Sequence, residues 1–347
     1  MTTPHPRAFL LRAAILLFLS TAALSLSSLG AASAPAAAPT ASADQAAPNA
    51  TRAPLPPEPL VPGAQVLTLW PAGSPMLNPN AKGFDQPEKL NKGRDGTVNS
   101  LTNTHNPSIE IHLAPADKNG GITIIIAAGG GNSTDNVGYE GTVIAKWLNG
   151  LGINAVILRY RIQPYRSDTD ALYDSLQSVR MVRAHAKEWN IDPAKIGFMG
   201  FSAGGEQVAR VALNYDHGDP NAADPVARES SRPDFLVLVY AGWNKLDTSK
   251  VPDDVPPAFM TVAADDQFHA TETMDFYRAL YDKNPKTAPK APLFMPELHI
   301  YAHGGHANAI SPRNGIPFGT WQLRFIEWLN DIYKQDAAAA KSGARGA

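Results

Sequence analysis

Short runs of uninterrupted apolar residues alternate along the chain with stretches whose apolar positions recur three and four apart. "GITIIIAAGGG" (Gly121–Gly131) is apolar until it opens into glycines, which predicts a buried strand running into a loop. A helix over Val143–Asn149, a strand over Ile153–Arg161 and a long helix over Asp168–Trp189 follow, the last beginning with acidic residues that suit the positive end of a helix dipole. Lys195–Phe201 predicts a strand and Ser202–Tyr215 the helix after it. Three more strands are predicted at Asp234–Gly242, Ala258–Asp265 and Glu297–Gly305, with a helix around Glu272–Tyr281 between the last two. An amphipathic helix over Thr320–Tyr333 closes the pattern. Alternation of this kind predicts crossover units, hence an α/β domain with a mostly parallel central sheet flanked by helices. Gln65–Trp70 and Ser108–Ala114 alternate strictly and predict an antiparallel edge; the polar, Asn- and Gly-rich segment between them predicts no regular element. The polar stretch Tyr215–Asp234 is expected to loop over a sheet edge, where it could shape an entrance.

Composition trims this picture at both ends. Met1–Ala34 reads as a secretory signal, with Arg7 and Arg12 before an apolar run from Ala13 to Leu26 and an A-x-A-like site at Ala32-Ser33-Ala34. Ser28-Leu29-Gly30 is an alternative cut, and an uncleaved anchor is the competing reading. Residues 35–63 are rich in Ala and Pro and predict a linker, which leaves the folded domain at 64–334 and a frayed tail at 335–347. There is no cysteine among the 347 residues, which excludes disulfides, thiolate metal sites and a cysteine nucleophile. A formal net charge of −2, from 30 basic and 32 acidic residues that are interspersed, offers no stripe for nucleic acid or an anionic membrane. The expected location is outside the cytoplasm of a bacterium, in the periplasm or beyond, without stable membrane insertion.

The candidate chemistry centres on Gly200-Phe201-Ser202-Ala203-Gly204, a G-x-S-x-G pattern between a predicted strand and a predicted helix. A serine on so tight a bend stands clear of the sheet, yet its hydroxyl attacks only if a base removes the proton. Two aspartates, Asp265 and Asp266, end the Ala258–Asp265 strand; neighbours on a strand face opposite ways, so one can meet a histidine, with Asp266 favoured and Asp265 left open. "ELHIYAHGGHANAI" offers His299, His303 and His306. His299 lies within the strand, His306 follows a Gly-Gly that can swing it over the serine, and His303 is the runner-up. Their spacing crosses from strand to loop and does not suit convergent zinc ligands. Gly130, Gly131 and Ala203 are candidate backbone donors for an oxyanion, with Asn132 able to support the glycine loop. The glycine loop, Ser202, Asp265/Asp266 and His303/His306 each follow a predicted strand end, the edge where open parallel sheets bind ligands.

"GFMGFSAGG", "AAGGGN" and "ELHIYAHGGHA", with "LWPAGSP", "AKWLNGLGINAVILRYR", "VRAHAKEWNIDPAKIG" and "GTWQLRFIEWLND", resemble the bacterial α/β-hydrolases related to acetyl xylan and feruloyl esterases, some of which carry xylanase labels. The resemblance implies an α/β-hydrolase fold, with Ser202 as nucleophile, Asp266 as acid and His306 as base. It implies a small acyl ester or acylated polysaccharide as substrate, and no cofactor or metal. The chain departs from the family where Ala128 precedes the glycine loop, Asn132 follows it, and "GGHAN" replaces "GGHGF". Rival expectations are a glycosidase, a peptidase on the same fold, and a carbohydrate-binding protein without turnover.

Overall fold

The structure, a computed structural model, describes residues 53–243, 246–283, 296–306, 309–310 and 317–343, with side chains as far as Lys334. The expected signal at 1–34 and most of the linker lie outside the described residues. The elements follow in chain order: β1 (Gln65–Thr68), β2 (Lys89–Lys92), β3 (Val98–Thr102), β4 (Ser108–His112), β5 (Thr123–Ala127), a π-helical turn at Gly138–Thr142, and α1 (Val143–Gly150). Then come β6 (Asn154–Arg159), α2 (Asp170–Ala184), β7 (Ile196–Phe201), α3 (Ala203–Asn214), β8 (Phe235–Val239), β9 (Ala258–Ala263), α4 (Gln267–Lys283), β10 (Glu297–Tyr301) and α5 (Trp321–Gly343).

Eight strands form one sheet in the order β1-β4-β6-β5-β7-β8-β9-β10. β1, β4 and β6 pair antiparallel; from β6 to β10 every neighbour is parallel. The antiparallel edge is where strict alternation placed it. β5 to β9 read as continuous apolar runs because helices cover both faces of the sheet. Ile125 and Ala127 belong to one core cluster, with Val179 and Val182 of α2 and Val208 and Val211 of α3. Ile124 and Ile126 face the other, with Ile144 and Leu148 of α1 and Trp321, Phe325 and Trp328 of α5.

Four expectations need correction. The Asn- and Gly-rich segment holds a two-stranded hairpin, β2 with β3. Its Leu101 exchanges two backbone hydrogen bonds of 2.9 Å with Asp135, bracing the loop after β5. The linker does not run undocked to residue 63. Leu60 is buried, and the Leu60 and Val61 N–H groups donate to Glu110 at 2.6 and 3.1 Å. Glu110 also receives Arg159 at 2.7 Å, so this buried carboxylate of β4 is satisfied under cover. Residues 215–234 lie at the amino ends of the parallel strands: Asp234 N–H donates to Ile196 at the start of β7, and Arg183 binds Ser230 and Asp234. They do not shape the Ser202 entrance, which is at the opposite edge. Finally, α5 continues to Gly343, past Tyr333 where the apolar pattern ends, through an Ala-rich stretch of high helix propensity.

Candidate active site

Ser202 caps α3 with φ 50° and ψ −119°, a conformation that side chains rarely adopt and that surrounding structure must hold. Its N–H donates to Val239 at 3.2 Å and its carbonyl accepts from Gly242 N–H at 2.6 Å, so β8 and the residues after it clamp the bend. The flanking glycines are required by approach distance. A Cβ on Gly200 would stand 2.2 Å from the Gly204 oxygen, and one on Gly204 2.0 Å from the Ala127 oxygen.

The structure brings the three favoured side chains together. Ser202 Oγ lies 2.8 Å from His306 Nε2, and His306 Nδ1 lies 2.7 Å from Asp266 Oδ2. A carboxylate only accepts, so Nδ1 carries the proton and Nε2 faces the hydroxyl as a base. The Asp266 side chain is 8% exposed and that of His306 35%. Asp265 plays a different part: it accepts from Gly304 N–H at 3.0 Å and Gly305 N–H at 2.8 Å. Those two donors, Gly305 foremost, hold its carboxyl below the usual range and fix the turn that presents His306. His303 is exposed and sits 3.8 Å from Asp265; His299 pairs with Glu297 and packs on Phe259. Neither approaches Ser202 as His306 does.

The glycine loop lies against the serine, since a Cβ on Gly129 would stand 2.8 Å from Ser202 Cβ. Gly130 and Gly131 have φ of 138° and 61°, and their N–H groups have no acceptor among the described residues. Ala203 opens α3, where no intrahelical acceptor exists. Three N–H groups beside Ser202 therefore have no partner among the described residues. Support for the loop comes from Ser133 and Thr134, whose N–H and hydroxyl groups donate to the Gly130 oxygen. Asn132 does not take the supporting role expected of it, for its Oδ1 is buried with no partner among the described residues.

Three residues of the site had no motif to announce them. Glu140, 4% exposed, accepts Gly129 N–H at 2.7 Å and the Tyr240 hydroxyl at 2.8 Å. Burial pushes its carboxyl up, and those two donors pull against that shift. Tyr240 Oη in turn accepts Ala309 N–H at 2.9 Å, and the Tyr240 ring meets His306 edge-on at 5.2 Å. Glu140 thus ties the glycine loop to the histidine loop from beneath. The third is His269 in the first turn of α4, whose Nδ1 donates to Asp266 Oδ1 at 2.7 Å. Donor atoms of Asp266, His269 and His306 fall within 4.8 Å of one another, a closeness these two short hydrogen bonds account for. Nearby, Asp135 is fully buried with both oxygens unpartnered among the described residues, and burial pushes its carboxyl well up. Of the aromatics near the predicted loops, Trp243 is core, packed on Phe276, while Tyr139 and Phe268 are exposed.

Comparison with known proteins agrees with this fold. A family model described as alpha/beta hydrolase fold matches residues 124–306, more than half of the chain. An acetylxylan esterase of Xylanibacter ruminicola is 42% identical over 243 residues, 61% of this chain and 44% of that protein. The chain thus spans less than half the length of that curated relative. Among solved structures, an acetyl ester-xyloside bifunctional hydrolase from Caldicellulosiruptor lactoaceticus superposes with a TM-score of 0.59 at 28% identity, covering 82% of this chain and 99% of that one. Esterase 2 of Thermogutta terrifontis, phosphoramylated by tabun, gives a TM-score of 0.53 at 18% identity over 78% of this chain and 95% of its own, a likeness of fold.

Proposed function

The chain belongs to the alpha/beta hydrolase family, and we propose that it is an exported serine esterase that hydrolyses short acyl esters, acetyl groups on polysaccharide foremost. The observation that carries this is the 2.8 Å approach of Ser202 Oγ to His306 Nε2, with Asp266 on the far side of the ring. Ser202 attacks the ester carbonyl as His306 takes its proton; Asp266 holds the imidazole tautomer and stabilises the imidazolium. The carbonyl oxygen becomes an oxyanion held by Ala203, Gly130 and Gly131 N–H groups, each such donor being worth about 10²–10³ in rate. His306 then protonates the leaving alcohol, and a water it deprotonates releases the acid from the acyl-enzyme.

The acyl preference draws support from the names of the two relatives above, both of which refer to acetyl esters. Export rests on the basic, apolar and small-residue order of Met1–Ala34. The test is hydrolysis of p-nitrophenyl acetate, butyrate and octanoate beside acetylated xylan, in wild type and Ser202→Ala. Acetate release that vanishes in the variant, with short chains preferred, is expected. Reducing-sugar release without acetate release would replace the esterase reading by a glycosidase one. Failure of a fluorophosphonate to label Ser202 would point to a protein without turnover.

A further inference from the structure

Asp266 is shared between two histidines. Its Oδ2 receives His306 and its Oδ1 receives His269, both at 2.7 Å. The two imidazoles also stack, with centroids 4.1 Å apart and planes 21° from parallel. His269 is three residues after Asp266 and in the first turn of α4, so one helix start supplies both the carboxylate and its second donor. Such a carboxylate would otherwise be free to rotate and offer either oxygen to His306. Resting on the serine-esterase reading, we propose that His269 is a positioning residue: its Nδ1–H locks Asp266 so that Oδ2 alone faces His306, and its ring is the wall against which His306 stands.

The second donor has an electrostatic consequence. By accepting from His269, Asp266 spends part of its negative charge away from His306, so the imidazolium formed during attack is less stabilised than it would be by an unshared carboxylate. The titratable groups facing this pair are Asp266, which bridges the two Nδ1 atoms, Tyr240 edge-on to His306, Glu140 near enough for His306 to feel its charge, and Asp265 and His303 on the adjoining loops. Removing His269 is therefore expected to loosen the geometry and, separately, to move the acid limb of the pH–rate profile to higher pH.

Two variants divide the roles. His269→Phe keeps a flat ring and lacks the donor; His269→Asn keeps an N–H near the Nδ1 position and lacks the ring. With active sites counted by fluorophosphonate titration of Ser202, His269→Phe is expected to lose about tenfold in kcat at nearly unchanged KM. Its acid limb is expected to rise by half a pH unit or more. His269→Asn is expected to recover most of that loss. A wild-type kcat and profile in His269→Phe, or equal losses in both variants with an unmoved profile, would overturn the proposal. Proton NMR of the wild type gives a measurement independent of how the variants fold. Nδ1–H resonances downfield of the amides, assigned to His306 and to His269 by correlation within each 15N-labelled ring, are expected, and absence of the His269 resonance would overturn it. A wild type without ester turnover sinks the esterase reading instead, and the resonances still decide the hydrogen-bond pair.

Discussion

Adjacent aspartates with different neighbours allow a sharp test of the site. Asp266→Asn exchanges the carboxylate facing His306 Nδ1 for an amide and leaves the size of the side chain unchanged. Unit charges 2.7 Å apart, the spacing of Asp266 Oδ2 and His306 Nδ1, attract by about 6 kcal/mol at an effective dielectric of about 20. His306 is a third exposed, so the part of this that reaches the transition state is smaller, about 3–5 kcal/mol, or about 10²–10⁴ in kcat. Asp265→Asn instead leaves an amide oxygen able to accept Gly304 and Gly305 N–H. Its cost should be no more than about threefold, the weakening of two charge-assisted bonds in a turn. The assay is steady-state hydrolysis of p-nitrophenyl acetate by both variants, with thermal melts to confirm that each is folded. If Asp265→Asn falls as far as Asp266→Asn, or Asp266→Asn keeps a tenth of wild-type kcat, the assignment of roles is wrong.

Other predictions follow from the packing beneath the serine. Gly204→Ala forces a Cβ to 2.0 Å from the Ala127 oxygen; a loss of roughly 3 kcal/mol, or roughly 6–12 °C in Tm, is expected by calorimetry. Glu140→Gln has one acceptor where two donors converge, Gly129 N–H and Tyr240 hydroxyl. It should cost about 1–3 kcal/mol of stability and about 10- to 100-fold in kcat as the glycine loop shifts, read by melts and turnover together. Asp135 carries a carboxyl that burial raises in the folded protein. Between the ordinary carboxylate range and its folded titration, the native state therefore holds a proton that the unfolded state has lost, and stability falls as pH rises, by up to about 1.4 kcal/mol per unit. Asp135→Asn removes that dependence, so the Tm difference, variant minus wild type, should widen as pH rises above the ordinary carboxylate range; parallel curves would refute it.

How legible all this was in the sequence depended on where the signal lay. The parallel strands were readable because burial on both faces leaves uninterrupted runs such as Ile124–Ala127 and Phe235–Val239. Ser202 was readable because its bend demands glycine at fixed offsets. The hairpin of β2 and β3 was not, since Lys89, Asn91 and Lys92 are exposed and the buried Val98 and Leu101 stand three apart, a spacing that does not read as strand alternation. Leu60 was hidden in proline-rich surroundings, a single anchor among residues that look unstructured. Choosing between Asp265 and Asp266 needed the turn at Gly304-Gly305, which lies some forty residues away in sequence. Glu140 acts with Tyr240 and His269 with Asp266, and only tertiary contact reveals pairs of that kind.

The carboxylate of Glu140 has one further consequence. Because it grips both the glycine loop and, through Tyr240, the backbone at Ala309, these two segments cannot drift apart independently. Substitutions outside this brace, such as at the exposed Phe268, can then be absorbed while Ser202 and His306 keep their mutual spacing.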